Sequence, residues 1–291
     1  MTSPLRYLFP KNCIFCGRSL SVGEPIDVCG DCGARIPYFA GEYLFYDGRD
    51  VTVGRGSGGN RVGGGSGVRA DTCNRIVCAL KYTDFVRSAI SGYKFHDRRE
   101  YGPTLAALLC ERIMRAEGTS GGGNTAGISV GKSAAKGDAK STGKSAGDIR
   151  NAFDFVTCIP LSRKRLRERG YNQAAILAGY AARFFDLPYE GKLLAREEDT
   201  LRQSALRRGE RYANVQSAFR VDEKRALKLL TRKPLAGAQT GSVLNGARII
   251  LIDDVATSMS TINACAAALK KQGAAEVLGA VLASPDVGIY T

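Results

Sequence analysis

Histidine, tryptophan and long apolar runs are scarce or missing in this 291-residue chain. Its single histidine is His96 and it has no tryptophan. A Ser–His–Asp or Cys–His catalytic arrangement would therefore depend on that one residue, which lies in a basic stretch. No run approaches the ~20 apolar residues that span a bilayer, and residues 1–11 lack the apolar core of a signal peptide. The sequence predicts a cytoplasmic protein without a transmembrane segment.

Positive charge exceeds negative charge, with 42 Lys and Arg against 28 Asp and Glu and a net charge of +14. This balance favours anionic partners such as phosphorylated metabolites, nucleic acid or a membrane surface. Two stretches rich in Gly and Ser lack the apolar residues that offset the entropy of ordering. We therefore predict a linker over 48–69 and an insertion over 117–150, between a small domain over 1–47 and a large one over 70–291.

Four cysteines near the N-terminus form two CxxC pairs. Cys13 and Cys16 are separated from Cys29 and Cys32 by twelve residues, a spacing typical of a zinc ribbon. Two disulfides or a redox motif are the alternatives, and a reducing compartment disfavours both. Four thiolates close a tetrahedral site, so we expect a structural Zn²⁺ without a catalytic role. The other five cysteines are predicted to be small buried hydrophobic residues.

Predicted strands alternate with predicted helices along the rest of the chain, which indicates an α/β domain with a parallel sheet. The strands are expected over 73–82, 153–159 and 249–252, and the helices over 84–93, 101–115 and 174–185.

The apolar strand at 249–252 leads directly into two carboxylates, Asp253 and Asp254, and then into a hydroxyl-rich turn and a helix. Ligands of open α/β sheets bind at this carboxyl edge, and a helix N-terminus favours phosphate. The carboxylates can accept hydrogen bonds from the vicinal hydroxyls of a phosphorylated ribose, or Mg²⁺ can lie between them. A plain strand end with Ser and Thr helix caps is the alternative.

This segment resembles the diphosphoribosyl-binding signature of the type I phosphoribosyltransferases, in which Asp-Asp is followed by two variable residues and Thr-Thr-Gly-x-Thr. Met259 stands where that signature has glycine. Glycine permits positive φ and a close approach of the backbone to phosphate. We expect methionine to be tolerated only if it is helical and its side chain points away.

Five pieces of the chain, in order, resemble the ComF family of competence proteins. They are the four-cysteine knuckle, residues 92–99, residues 160–173, residues 202–219, and Asp253-Asp254. Arg-Gly-Tyr-Asn-Gln at 169–173 is the most family-specific stretch. The resemblance implies a zinc ribbon joined to a type I phosphoribosyltransferase-like parallel sheet with helices on both faces. The implied ligand is phosphoribosyl pyrophosphate with Mg²⁺.

By the same resemblance, Asp253 and Asp254 hold the ribose hydroxyls of this ligand. The pyrophosphate loop corresponds to Leu161, Ser162 and Arg163, and the cradle of the 5′-phosphate to Ala256, Thr257, Ser258, Met259, Ser260 and Thr261. The basic cluster at 163–169 either neutralises pyrophosphate, contacts nucleic acid or forms a solvated helix face. Glycosyl transfer at such a centre needs positioning and charge compensation more than a general base.

The family resemblance also connects the chain to DNA uptake in natural competence, with single-stranded DNA and other DNA-uptake proteins as expected partners. Three functions stay open at this point. The chain is a phosphoribosyltransferase, or a single-stranded nucleic-acid-binding protein, or an interaction protein whose phosphoribosyltransferase domain has lost activity. The sequence does not identify an acceptor base.

Overall fold

The computed structural model describes residues 11–21, 26–39, 43–46, 51–54, 73–118, 146–196, 218–232, 242–257 and 259–285. Most of the predicted linker and insertion, Ser258, and residues 202–217 of the fourth ComF-like piece lie outside them. None of the described helices combines the length and the apolarity needed to cross a membrane.

The strands are β1 (Tyr43–Tyr46), β2 (Val51–Gly54), β3 (Arg75–Lys81), β4 (Phe155–Cys158), β5 (Leu194–Arg196), β6 (Phe219–Val221), β7 (Arg248–Val255) and β8 (Glu276–Ser284). The helices are α1 (Gly30–Arg35), α2 (Asp84–Phe95), α3 (Gly102–Gly118), α4 (Ala146–Ala152), α5 (Arg163–Arg169), α6 (Gln173–Phe185), α7 (Glu223–Arg232) and α8 (Ser260–Lys271).

The central sheet has the order β2-β1-β3-β8-β7-β4, and its last four strands are parallel. This confirms the predicted α/β class and the strands and helices expected on either side of the insertion. Strands β1 and β2 add an antiparallel pair at the β3 edge. They lie within the ranges 1–47 and 48–69, which the sequence assigned to the ribbon and the linker. Strands β5 and β6 form a separate antiparallel pair.

Both faces of the parallel sheet are covered, and strand β7 shows this most clearly. Ile250 and Ile252 belong to a core cluster that includes side chains of α3 and α6. Ile249 and Leu251 belong to a second cluster that includes side chains of α8 and β6. All four side chains are 0% exposed. Burial on both faces explains why β7 is a continuous apolar run rather than an alternating one.

Candidate functional site at the carboxyl edge of the sheet

The predicted pyrophosphate loop and the acidic pair meet at one edge of the sheet. Strands β4 and β7 are parallel neighbours, and the Ile159 amide continues their ladder by donating to the Ile252 carbonyl at 2.9 Å. Residues 161–163 follow β4. Asp253 and Asp254 lie near the C-terminal end of β7, directly before its last residue, Val255. The structure therefore places residues 161–163 and the acidic pair at the same edge of the sheet, and the described cradle residues follow the acidic pair along the chain.

Asp254 carries a buried carboxylate oxygen that accepts no hydrogen bond from the described residues. The residue is 8% exposed, and its Oδ1 accepts from the Val255 amide at 2.6 Å. Lys94 Nζ lies 2.9 Å from Oδ2 as an ion-pair partner, and within the described part of the chain no group donates a hydrogen bond to this oxygen. Buried polar atoms are nearly always hydrogen-bonded, so the oxygen is suited to a donor that arrives with a ligand.

Asp253 is only half-buried and lies beside a second carboxylate. Its Oδ1 accepts from the Asp254 amide at 2.8 Å. Removal from water, followed by repulsion from Asp254, raises the pKa of Asp253, and Lys94 lowers it in part. A carboxyl group with a raised pKa at the carboxyl edge of a parallel sheet is typical of functional sites rather than of plain strand ends.

The turn after the acidic pair is anchored to the rest of the domain. Ser284 Oγ donates to the Ala256 carbonyl at 2.8 Å, and the Ala256 amide donates to the Ala283 carbonyl at 3.2 Å. The Asn263 amide and its side-chain Nδ2 both donate to the Met259 carbonyl at 3.0 Å. These bonds hold the backbone of the predicted phosphate cradle, whose described members are Ala256, Thr257, Met259, Ser260 and Thr261.

Met259 adopts a left-handed backbone conformation, which glycine adopts more readily than other residues. Its φ is +54° and its ψ is −3°, so the residue does not meet the helical condition under which the sequence predicted methionine to be tolerated. The left-handed region costs a residue with a Cβ roughly 1–2 kcal/mol. The side chain is 2% exposed within the second core cluster, and this burial offsets the cost. Met259 supplies no side-chain cap to α8, which begins at the next residue.

Two of the ComF-like pieces, residues 92–99 and residues 160–173, are hydrogen-bonded to each other beside the acidic pair. Tyr171 Oη donates to the Tyr93 carbonyl, and Tyr93 Oη donates to the Gln173 carbonyl at 2.9 Å. The Gln173 side chain donates to the Lys94 carbonyl at 3.4 Å. Sequence reasoning included Lys94 in a family-like piece but gave it no role. The only sequence signal was a lysine within that piece, because its partner Asp254 is 160 positions away.

Helix α5 extends a basic surface from the same edge. Ser162 Oγ caps it by accepting from the Arg165 amide at 3.3 Å, and its Arg and Lys side chains are mostly exposed. The Arg169 guanidinium lies 5.2 Å from the ring centre of Phe95, which is 65% exposed. Arg99 lies 4.5 Å from the ring centre of Tyr171. Guanidinium groups beside aromatic rings suit phosphates and bases.

The four N-terminal cysteines converge as predicted. The sulfur atoms of Cys13, Cys16, Cys29 and Cys32 all lie within 4.8 Å of one another, and Cys16 and Cys29 are 3.7 Å apart. A tetrahedral Zn²⁺ with Zn–S bonds of about 2.3 Å needs sulfur separations of about 3.8 Å. The donor set and its spacing therefore fit a closed metal site. None of the nine cysteines, all of which lie within the described residues, forms a disulfide.

The knuckle is docked onto the helices of the large domain. The Phe15 ring stacks on Phe85 of α2 with centroids 4.8 Å apart, and the Asp27 amide donates to Thr104 Oγ1 of α3 at 3.1 Å. Helix α2 also carries Lys94. The four-cysteine group therefore supports the helix that reaches the acidic pair.

The chain is similar to proteins named for competence and DNA use, although no protein-family model matches it. It is 29% identical over 119 residues to competence protein F of Haemophilus influenzae. That match covers 41% of this chain and 45% of that protein. Over 203 residues it is 23% identical to the DNA utilization protein YhgH of Escherichia coli K12 and 24% identical to that of Salmonella typhimurium. Those matches cover 70% of this chain and 69% of each relative.

Proposed function

From the premise that the chain is a relative of ComF-like competence and DNA utilization proteins, we propose that it binds phosphoribosyl pyrophosphate with Mg²⁺ through a type I phosphoribosyltransferase-like domain. The observation that carries the proposal is the buried carboxylate of Asp254. Its Oδ2 lies 2.9 Å from the Lys94 ammonium and accepts no hydrogen bond from the residues that the structure describes. It lies at the end of a parallel strand, one short turn before a helix N-terminus. A ribose hydroxyl supplies the donor that this oxygen lacks, and the turn accommodates the 5′-phosphate.

Each part of the ligand has its own residues at this edge. The acidic pair holds the ribose, and the described cradle residues at 256, 257 and 259–261 hold the 5′-phosphate together with Ser258. Leu161, Ser162 and the exposed Arg163 lie at the end of the neighbouring strand, where the pyrophosphate extends. Mg²⁺, when bound, neutralises charge on the departing pyrophosphate. The chain contributes orientation and fixed charges, which are the main requirements of this chemistry.

Ligand calorimetry on the full chain tests this proposal. We expect phosphoribosyl pyrophosphate to release heat only with Mg²⁺, and Asp253→Asn/Asp254→Asn to abolish it. Asp186→Asn is the matched control, because it removes an exposed carboxylate at a position with φ of +53° where Asn is tolerated. Absence of heat from the unaltered protein at millimolar ligand would reject the proposal. It would favour a domain kept for interaction with other proteins.

A DNA-handling role is the second proposal, and the exposed basic and aromatic surface of α5 and Phe95 favours it. The relatives are named for competence and DNA utilization. We propose that this surface contacts single-stranded DNA during uptake, together with other DNA-uptake proteins. Arg165→Gln/Arg167→Gln should weaken DNA binding and reduce its salt slope by about 0.7 for each lost phosphate contact. Arg87→Gln, on the exposed side of α2, is the control and should change neither quantity.

A further inference from the structure

Lys94 occupies the position that a cation bound to Asp254 would need. Its Nζ is 2.9 Å from Asp254 Oδ2, and each of the two side chains is only 12% exposed. An ion pair removed from water is costly unless both charges stay paired, and loss of one partner leaves an uncompensated buried charge. Any divalent ion that takes this oxygen must therefore leave the lysine without its partner.

The position of Lys94 is set by neighbours on a different helix. Its carbonyl accepts from the side chain of Gln173, which is 0% exposed at the start of α6. The preceding carbonyl, that of Tyr93, accepts from Tyr171 Oη. Helix α2 ends at Phe95, so these bonds fix its last turn. The ammonium group is thus held against the acidic pair by the Arg-Gly-Tyr-Asn-Gln stretch.

We propose that Lys94 is a built-in counter-ion of Asp254, which excludes free divalent metal from the acidic pair and transfers to a ligand phosphate when a metal-bound sugar phosphate arrives. This inference rests on the proposed function. Metal alone displaces the ammonium without giving it a new partner, and that is unfavourable in a buried site. A phosphate on the ligand provides the new partner.

The consequence is positive coupling between metal and sugar phosphate. The metal binds more favourably once the sugar phosphate is present, because a ligand phosphate then gives Lys94 its new partner. By reciprocity, the metal strengthens binding of the sugar phosphate to the same degree. A purely structural lysine would have a different signature. Its removal would lower stability and weaken both ligands alike, since a loosened edge of the sheet holds neither of them well.

The test measures two affinities in the full-length Lys94→Met variant. Mn²⁺ binding is followed by electron paramagnetic resonance without sugar phosphate, and phosphoribosyl pyrophosphate binding by calorimetry with Mg²⁺. We expect Mn²⁺ to bind at least about fivefold more tightly, and phosphoribosyl pyrophosphate at least about fivefold more weakly, than in the unaltered protein. Lys11→Met is the control, because it breaks an ion pair of 2.8 Å with Asp27 on the knuckle and should change neither affinity.

Opposite shifts in the two affinities support the inference, and unchanged Mn²⁺ affinity or a parallel loss of both overturns it. Lys94→Gln and Lys94→Arg are measured alongside, so that a folding defect in one variant does not decide the result. Lys94→Arg keeps the positive charge beside Asp254, so its Mn²⁺ affinity should be no higher than that of the unaltered protein. If the unaltered protein binds no phosphoribosyl pyrophosphate, the proposed function fails, and the Mn²⁺ measurement alone then decides whether Lys94 guards Asp254.

Discussion

The side chain of Asn172 donates a hydrogen bond to the carbonyl of Ile159 at 2.9 Å. The same side chain caps helix α6 by accepting from the Ala175 amide at 3.4 Å. One amide group therefore joins the Arg-Gly-Tyr-Asn-Gln stretch to the loop that leaves β4 for the predicted pyrophosphate site. The stretch that carries the strongest resemblance to the ComF family thus acts on the backbone of the site as well as on its own helix.

Asn172→Ala should lower the free energy of unfolding by about 1–2 kcal/mol, since it removes both a helix cap and a hydrogen bond to the loop. Urea denaturation measures the loss, and calorimetry should show weaker binding of phosphoribosyl pyrophosphate. Asn172→Asp keeps the capping acceptor but loses the donor to Ile159. Its binding of phosphoribosyl pyrophosphate should therefore weaken more than its free energy of unfolding falls. Equal losses of unfolding free energy in Asn172→Ala and Asn172→Asp would contradict the dual role.

Met259→Gly should destabilise the protein by about 1–3 kcal/mol, because the loss of a buried side chain outweighs the relief of a positive φ. The backbone at 259 is already in the left-handed region that glycine favours, so affinity for phosphoribosyl pyrophosphate should stay within about threefold. Asp186→Gly is the control at an exposed residue with φ of +53°, and thermal unfolding should show no comparable loss. A large gain in ligand affinity for Met259→Gly would mean that the methionine impairs the cradle.

Metal analysis should find one zinc ion per chain, held by the four cysteines of the knuckle. Removal of zinc by a chelator should unfold the knuckle and lower the free energy of unfolding by at least about 2 kcal/mol, because Phe85 and Thr104 lose their contacts with it. Cys13→Ser should bind less zinc, whereas Cys110→Ala, which changes a buried thiol of α3, should keep the full content. A zinc-free protein with unchanged thermal stability would argue against a structural metal.

The raised pKa of Asp253 should make stability fall as pH increases. The unfolded chain loses this proton near an ordinary pKa of about 3.9, whereas the folded carboxyl group keeps it to higher pH. The folded state therefore binds more protons between these two pKa values, and the free energy of unfolding decreases across that window. Urea denaturation between about pH 4 and about pH 8 should show that the free energy of unfolding declines less steeply with pH in Asp253→Asn than in the unaltered protein. Identical slopes would contradict the shift.

Periodicity and local chemistry predicted much of this molecule, since the parallel strands and their helices bury regular apolar faces. The cysteine spacing likewise predicted the four-cysteine group. Strands β1 and β2 were missed because their neighbourhood is dominated by glycine, and because the pairing of β1 with β3 depends on tertiary structure. Lys94 had no predicted role, since its contact with Asp254 depends on how α2 packs. The left-handed Met259 was not expected, because burial offsets a strain that sequence patterns do not show.

A crystal structure of the full chain with phosphoribosyl pyrophosphate and Mg²⁺ tests the central claim most directly. We predict the ribose hydroxyls within hydrogen-bond distance of Asp253 and Asp254, the 5′-phosphate at residues 256–261, and Lys94 moved from Asp254 to a phosphate. Ligand bound elsewhere on the chain, with the acidic pair still facing only Lys94, would contradict the account.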